Sequence, residues 1–218
     1  MNQNKLDQQS NHWENNFSKN PNMFGLSPSF ASLNALKKFK EENIEEIVEL
    51  GAGLGRDTIY FAKNQIKVEA LDYSSAAIKI IEKKARVKNL TTFVSTKIFD
   101  VRHKLPYKDN SIKGFFSHML YCMALTNSDI EKLNNEILRV LKPGGINIYT
   151  VRHTKDGDYK KGIHIGEDMY ENDGFIVNFF SKKKVKSLLT GFKNLSITEL
   201  EEGSFPRRLF VVQNKKSN

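Results

Sequence analysis

The chain has 218 residues, 39% of them hydrophobic and 27% charged, with a formal net charge of +9. That length suits one domain with some added structure, able to bury roughly 70% of the surface its unfolded chain would expose, and the composition excludes a disordered chain. The longest mostly apolar stretch, residues 115–125, is broken by Ser117 and His118, so nothing approaches the ~20 apolar residues of a membrane-spanning helix.

The opening sequence MNQNKLDQQSNHWENN lacks the apolar core of a secretory leader. The lone Cys122 has no partner for an internal disulfide, and a reducing, cytoplasmic setting is expected. Of the 34 basic residues 27 are Lys, scattered except for Lys182, Lys183, Lys184 and Lys186. They read as solvated faces, with a polyanion partner as the alternative, because Arg is the residue favoured for bidentate phosphate recognition.

Ten of the first 22 residues are Asn or Gln, which predicts a frayed arm over residues 1–26. Trp13, Phe17, Met23 and Phe24 in it either staple the arm to the domain or form a lid over a ligand. Ser27-Pro28 predicts a helix start, a cap followed by proline at the first helical position. Phe30, Leu33, Leu36 and Phe39 then follow a helical period. IEEIVEL (44–50) is an apolar strand ending in the glycine cluster GAGLGRD, followed by the helical TIYFAKN. IKVEALDYS (66–74) and TTFVSTKIFD (91–100) read as strands ending in acids, with a helix between them over 75–89. SIKGFFSHM (111–119) is a fourth strand.

SDIEKLNNEILRVLKPGG (128–145) reads as a helix, with Ser128 and Glu131 at capping-box spacing and Pro143-Gly144-Gly145 as its stop. INIYTV (146–151) is a fifth strand, 152–180 an irregular polar insertion and 181–192 a short helix. LSITELEE and RLFVVQ, with no helix between them, close the chain as an antiparallel hairpin. Strands alternating with helices imply parallel pairing through right-handed crossovers, hence a doubly wound α/β sheet.

In such sheets ligands lie beyond the carboxyl ends of the strands, at the point where strand order reverses. There stand Glu49, the glycines Gly51, Gly53 and Gly55, and Asp72, 21 residues after Gly51. Glycines let the backbone turn sharply and a ligand approach it, and an acid ending the second strand can accept hydrogen bonds from both hydroxyls of a ribose. The spacing is G-x-G-x-G, with Arg56 where a dinucleotide fingerprint has its third glycine. Glu49 would repel a pyrophosphate but suit a ligand carrying ammonium and sulfonium groups. A G-x-x-x-x-G-K-[ST] loop is absent.

VELGAGLGRD, LDYS, FDVRHKLPYKDNSI and LKPGG, in this order and spacing, resemble the class I S-adenosylmethionine-dependent methyltransferases over about residues 45–151. GRD after the glycines and the overall size are similar to the tellurite-resistance and thiol-methyltransferase branches, among small-molecule enzymes. The resemblance implies a mostly parallel, seven-stranded, Rossmann-like sheet with an antiparallel C-terminal hairpin. It also implies S-adenosylmethionine as cofactor and S-adenosylhomocysteine as product. Glu49 and the backbone of Gly51, Gly53 and Gly55, with Ala52 and Arg56 in the same turn, would hold the methionine end. Asp72 would accept the ribose hydroxyls, Tyr73 would pack on the adenine, Asp100 would take its amino group and the Val101 backbone its edge. Ser117 and His118 would line the methyl-transfer pocket.

Three places offer acceptor-side groups. His118, Tyr121 and Cys122 follow the fourth strand, where Tyr121 and Cys122 also read as core and His118 as a polar cap. Tyr149, Arg152 and His153 lie at or beyond the end of the fifth, where Arg152 either clamps an anion or sits in a surface ion pair. The third is the insertion, with His164, Glu167, Asp168 and Tyr170. His118, Tyr149, Arg152 and His164 are the catalytic candidates. His153, His164, Glu167 and Asp168 match no helical metal-ligand spacing, and no metal is expected. Without [DN]-P-P-[YF] or a Pro-Cys nucleophile, a small-molecule acceptor is favoured over nucleic acid. An RNA or protein acceptor, using the Lys182–Lys186 face, and a non-catalytic cofactor-binding subunit are the alternatives. The expected organisation is an arm over 1–26 and one domain over 27–218, with 152–180 on the acceptor side. No membrane partner is expected, and monomer and homodimer both stand.

Overall fold

The strand after residue 44 is apolar at consecutive positions, which suits burial on both faces of a sheet. The computed structural model describes residues 3–203 and 207–217, and in it β1 (Glu46–Leu50) lies at the middle of the sheet. β1 pairs in parallel with β2 (Lys67–Asp72) and with β4 (Ile112–Ser117), β2 with β3 (Val94–Ile98), and β4 with β5 (Leu141–His153). β10 (Arg207–Lys216) runs antiparallel to β5 and to β9 (Phe192–Glu202). These seven strands lie in the order β3-β2-β1-β4-β5-β10-β9, and the order reverses between β1 and β4.

Alternate residues of the central strands feed two cores. Val48, Phe115, Tyr149 and Val212 face one layer with Leu133 and Ile137 of α6 (Asn127–Val140) and Val185 of α7 (Lys182–Ser187). Ile47, Phe116, Ile148 and Val211 face the other. Against it pack Phe39 of α3 (Phe30–Glu41), Phe61 of α4 (Arg56–Lys63) and Ile78 and Ile81 of α5 (Ser75–Val87). The doubly wound sheet and its closing hairpin are as the sequence predicts.

Ten strands, rather than seven, are present among the described residues. The insertion is not irregular: β6 (Ile163–Gly166), β7 (Met169–Asn172) and β8 (Phe175–Phe180) form an antiparallel meander. β8 joins β5 in parallel at Arg152↔Phe179 and His153↔Phe180. β10 already occupies one edge of β5 there, and β4 ends opposite Tyr149. β8 therefore takes the edge that β4 leaves open. From residue 3 the arm is not frayed either, but forms α1 (Gln3–Asp7) and α2 (Gln9–Lys19); residues 1 and 2 lie outside the described residues.

Two helix starts are displaced from the sequence reading. α3 is capped by Ser29, whose Oγ accepts from Ser32 N, and not by Ser27. Ser29 also gives its N–H and O–H to the buried Asp57 carboxylate at 2.7 and 2.8 Å, which fixes this residue as the cap. α6 carries its capping box at Thr126 and Asp129 rather than Ser128 and Glu131. The Lys142–Gly145 segment already belongs to β5, which begins at Leu141.

Gly55 caps α4 in a left-handed conformation (φ 75°), and a Cβ there would lie 2.6 Å from Ile81 Cγ1. Left-handed backbone costs an L-residue about 1–2 kcal/mol and overpacking adds about 1–3. Gly55→Ala should therefore lower stability by about 2–5 kcal/mol, read as a shifted urea midpoint at unchanged slope.

Candidate functional site

The carboxyl ends of β1, β2 and β4 open onto one cavity of about 580 Å³. β1 leads into Gly51 and Gly53, both at positive φ. A Cβ on Gly51 would meet Leu120 at 2.9 Å, while one on Gly53 would point at Phe17, 3.7 Å away. Both glycines line the cavity with Ala52, whereas Gly55 does not and serves helix packing instead.

Asp72 ends β2 and is almost fully buried. Its Oδ2 accepts the Gly53 N–H at 2.8 Å and its Oδ1 the Ser74 N–H at 2.9 Å. One carboxylate thus ties the glycine turn to the start of α5. Each oxygen keeps a second lone pair, and Asp72 lines the cavity. Burial pushes this carboxyl up to about 6 although both N–H groups favour the charge, and nearby Glu14 adds repulsion.

Glu49, also buried, accepts from Thr58 Oγ1 at 2.5 Å. Burial, then the Asp57 charge, holds its carboxyl well above the usual range. Tyr73, Asp100 and Val101 line the same cavity. Asp100 accepts from Arg102 Nε and Nη2, and Arg102 Nη1 reaches Asp7 on α1. Burial opposes the Asp100 charge, but the Arg102 hydrogen bonds outweigh it and keep the carboxyl below its ordinary value.

Beyond β4, His118 lines the cavity, whereas Ser117 is fully buried beneath it and is not among the lining residues. His118 Nδ1 lies 3.1 Å from Thr150 Oγ1, which accepts the Met119 N–H. His118 Nε2 faces Glu202 Oε2 at 3.4 Å. Glu202 Oε1 in turn accepts from Arg56 Nη2 at 2.9 Å. Burial holds the imidazole below its ordinary value, opposed by the charges of Asp57 and Glu202 and aided by Arg56 and Arg207.

The remaining acceptor-side candidates separate. Tyr149 is 1% exposed, stacked on Tyr121 at 4.2 Å between ring centroids, and it faces the core rather than the cavity. The alternation of β5 explains this: Thr150 and not Tyr149 meets His118. His164 is exposed on β6, bonded to the Glu167 carbonyl and outside the cavity wall. Arg152 lines the cavity but is no surface ion pair. It is 4% exposed, and Asp156 and Asp158 occupy its Nε and Nη2.

The sequence reading missed Glu202, which the hairpin brings to the cavity, and the arm's full part in the wall. Leu6, Gln9, Trp13 and Phe17 line the cavity from α1 and α2. Glu14 accepts from Ser74 Oγ, Ser75 Oγ and Ala76 N at the start of α5. Gln9 pairs with the backbone of Gly174 and Ile176, and Trp13 packs on Phe175. The spacing of Leu6, Trp13 and Phe17, seven and four residues apart, carries the helical signal for this wall. Among the described residues no cluster of three or more His, Cys, Asp or Glu is arranged to hold a metal ion, and no helix is long and apolar enough to cross a membrane.

Residues 47–145 match the family described as "Methyltransferase domain". Two wheat (Triticum aestivum) proteins are similar in sequence. Phosphoethanolamine N-methyltransferase 1 is 32% identical over 146 residues, 66% of this chain, and phosphoethanolamine N-methyltransferase is 35% identical over 102 residues, 46% of it. The chain spans only 26% and 19% of those relatives' lengths. Among solved structures, an S-adenosylmethionine-dependent methyltransferase from Methanosarcina mazei superposes with a TM-score of 0.69 at 22% identity, covering 82% of this chain and 97% of that one. TehB from Haemophilus influenzae gives 0.66 at 16%, covering 94% and 67%. A Burkholderia thailandensis 1,6-didemethyltoxoflavin-N1-methyltransferase with bound S-adenosylhomocysteine gives 0.68 at 16%, covering 87% and 79%. Residues 47–145 thus match a methyltransferase domain, and the strand order, with the cavity at the reversal point, is the fold of the S-adenosylmethionine-dependent methyltransferases on which the chain superposes.

Proposed function

We propose that the chain transfers a methyl group from S-adenosylmethionine to a small-molecule acceptor. The observation that carries this reading is the roofed cavity, whose floor is the cofactor-type strand ends and whose far wall is Met119, Met123, Tyr170, Phe175 and Phe179. At about 580 Å³ it falls within the ~300–1,000 Å³ range of small-ligand sites. The two wheat relatives, named for methylation of a small amine, support the acceptor class.

The residues present fit the cofactor. Gly51 and Gly53 present the backbone of the turn to the cavity, and buried Glu49 accepts from Thr58 without a direct ion-pair partner among the described residues, where an amino-acid ammonium would supply one. Asp72 has the lone pairs for two ribose hydroxyls, Tyr73 and Val101 flank the adenine, and Asp100 accepts from its amino group. When bound, the cofactor supplies a methyl group already activated on a sulfonium. The protein's work is to align the acceptor within ~3–3.5 Å and exclude water. His118 stands beside the acceptor position, and Arg152 braces the wall there by fixing the 154–161 turn. The α1–α2 arm acts as the lid, pinned to α5 by Glu14 and to the β7–β8 turn by Gln9.

Trp13 is the only tryptophan and lines the cavity, so S-adenosylhomocysteine should change its fluorescence saturably. Incubation with methyl-labelled S-adenosylmethionine and a cell extract should label a small molecule. Label appearing only in RNA or protein would overturn the acceptor class, and no binding would overturn the whole reading. Binding should also depend on pH. As pH falls through about 6, Asp72 takes a proton and loses an acceptor. The proton on Glu49 acts in the same direction, so affinity is lost toward acid. At pH 5 it should be about tenfold below its value near pH 7. Asp72→Ala should weaken binding about ten- to a hundredfold and flatten this limb, measured in the same titration.

A further inference from the structure

Several buried side-chain polar atoms among the described residues lack a hydrogen-bond partner, and those on cavity-lining residues are His118 Nε2 and Glu202 Oε2. They face each other at 3.4 Å without forming a hydrogen bond. A buried polar atom without a partner is unfavourable, so two such atoms meeting in the wall of a ligand site point to a group that completes them. Around them everything else is committed. Thr150 Oγ1 accepts from Met119 N and lies 3.1 Å from His118 Nδ1, so that ring nitrogen already has its partner. Arg56 holds the other Glu202 oxygen, and Asp57, whose charge also faces His118, is taken by Ser29. Arg207 adds a positive charge on the same side.

We propose that Glu202 is a catalytic residue that takes the proton of the methyl acceptor, with His118 and Arg56 as positioning residues for its carboxylate, and that the acceptor is therefore a protic nucleophile, a neutral amine or a hydroxyl. This rests on the methyl-transfer reading above and names the acceptor's chemistry. In the balanced step the acceptor's lone pair forms the bond to the methyl carbon. The carbon–sulfur bond breaks with its electron pair kept by sulfur, giving the thioether. The N–H or O–H proton passes to Glu202, which leaves neutral and returns the proton to solvent on release. A thiolate or metalloid oxyanion, ionised beforehand, needs no such group. The residue comes from the end of β9, outside the segment that matches the methyltransferase domain, where acceptor-specific groups are free to differ from the cofactor scaffold.

Three measurements on the full chain test this. The atom that gains label from methyl-labelled S-adenosylmethionine in a cell extract should be nitrogen or oxygen. With that product as the assay, Glu202→Gln should lower the single-turnover rate of cofactor-loaded enzyme by about a hundredfold or more, and Glu202→Asp should recover part of it. S-adenosylhomocysteine affinity, followed by Trp13 fluorescence, should stay within about twofold of wild type in both variants, which separates loss of chemistry from loss of fold. His118, assigned in the imidazole NMR spectrum by its loss in His118→Asn, should shift in Glu202→Gln. A sulfur-methylated product, or Glu202→Gln turning over at the wild-type rate, would overturn the inference while leaving methyl transfer standing. No labelled product from wild type that still binds S-adenosylhomocysteine would remove the methyl-transfer reading and this inference with it.

Discussion

The Asp72 carboxylate is the point on which the site is built. Burying a carboxylate with no cation beside it is unfavourable, and its raised pKa reports that penalty. The two backbone N–H groups of Gly53 and Ser74 offset part of it. Those bonds define the geometry on both sides. They hold the glycine turn after β1 against the end of β2, and they set the entry of α5 at Ser74, whose Oγ then accepts from Ala77 N as the helix cap. A neutral side chain could not accept both N–H groups and still leave lone pairs facing the cavity.

The arm depends on that arrangement. Glu14 reaches three donors at the start of α5 only because Ser74 and Ser75 present them in line, and the positive end of the helix favours its charge. Phe17 lies over Gly53, 3.7 Å from where a Cβ on the turn would stand. At the other end, a Cβ on Gly174 would lie 2.7 Å from His12. The arm therefore docks on two glycines, one in each half of the cavity wall. Its polar composition concealed this: Asn, the commoner of its amides, is a mediocre helix former, while the apolar stripe of Leu6, Trp13 and Phe17 provides the packing.

What could be read from the sequence was what local periodicity encodes. The alternating strands, the helices on both faces, and Gly51, Gly53, Asp72 and Asp100 at strand ends follow from short segments with strong patterns. The insertion shows the opposite case. Its meander also had a local signal, since Asn172-Asp173-Gly174 supplies the two positive-φ positions of a tight hairpin turn (φ 51° and 82°) between MYEN and FIVNFF. Tyr149 was misplaced by one residue of register, and with a side-chain period of two that sends it from the cavity to the core. Glu202 could not be placed from the sequence, because its position depends on a hairpin closing across the whole sheet onto β5.

That long-range closure explains why Arg56 stands where a dinucleotide site would have glycine. Its backbone follows directly on the glycine turn, while its side chain crosses to Glu202, with about a fifth or less of either side chain exposed. A pair so little exposed is screened less by salt than one on the surface. It therefore fixes the distance between the turn after β1 and the end of β9. A third glycine would remove this link between the glycine turn and the carboxylate beside His118. The net charge of +9 plays no part in this linkage. The few acids held at strand ends do, because each is buried enough for its partners to determine where it points.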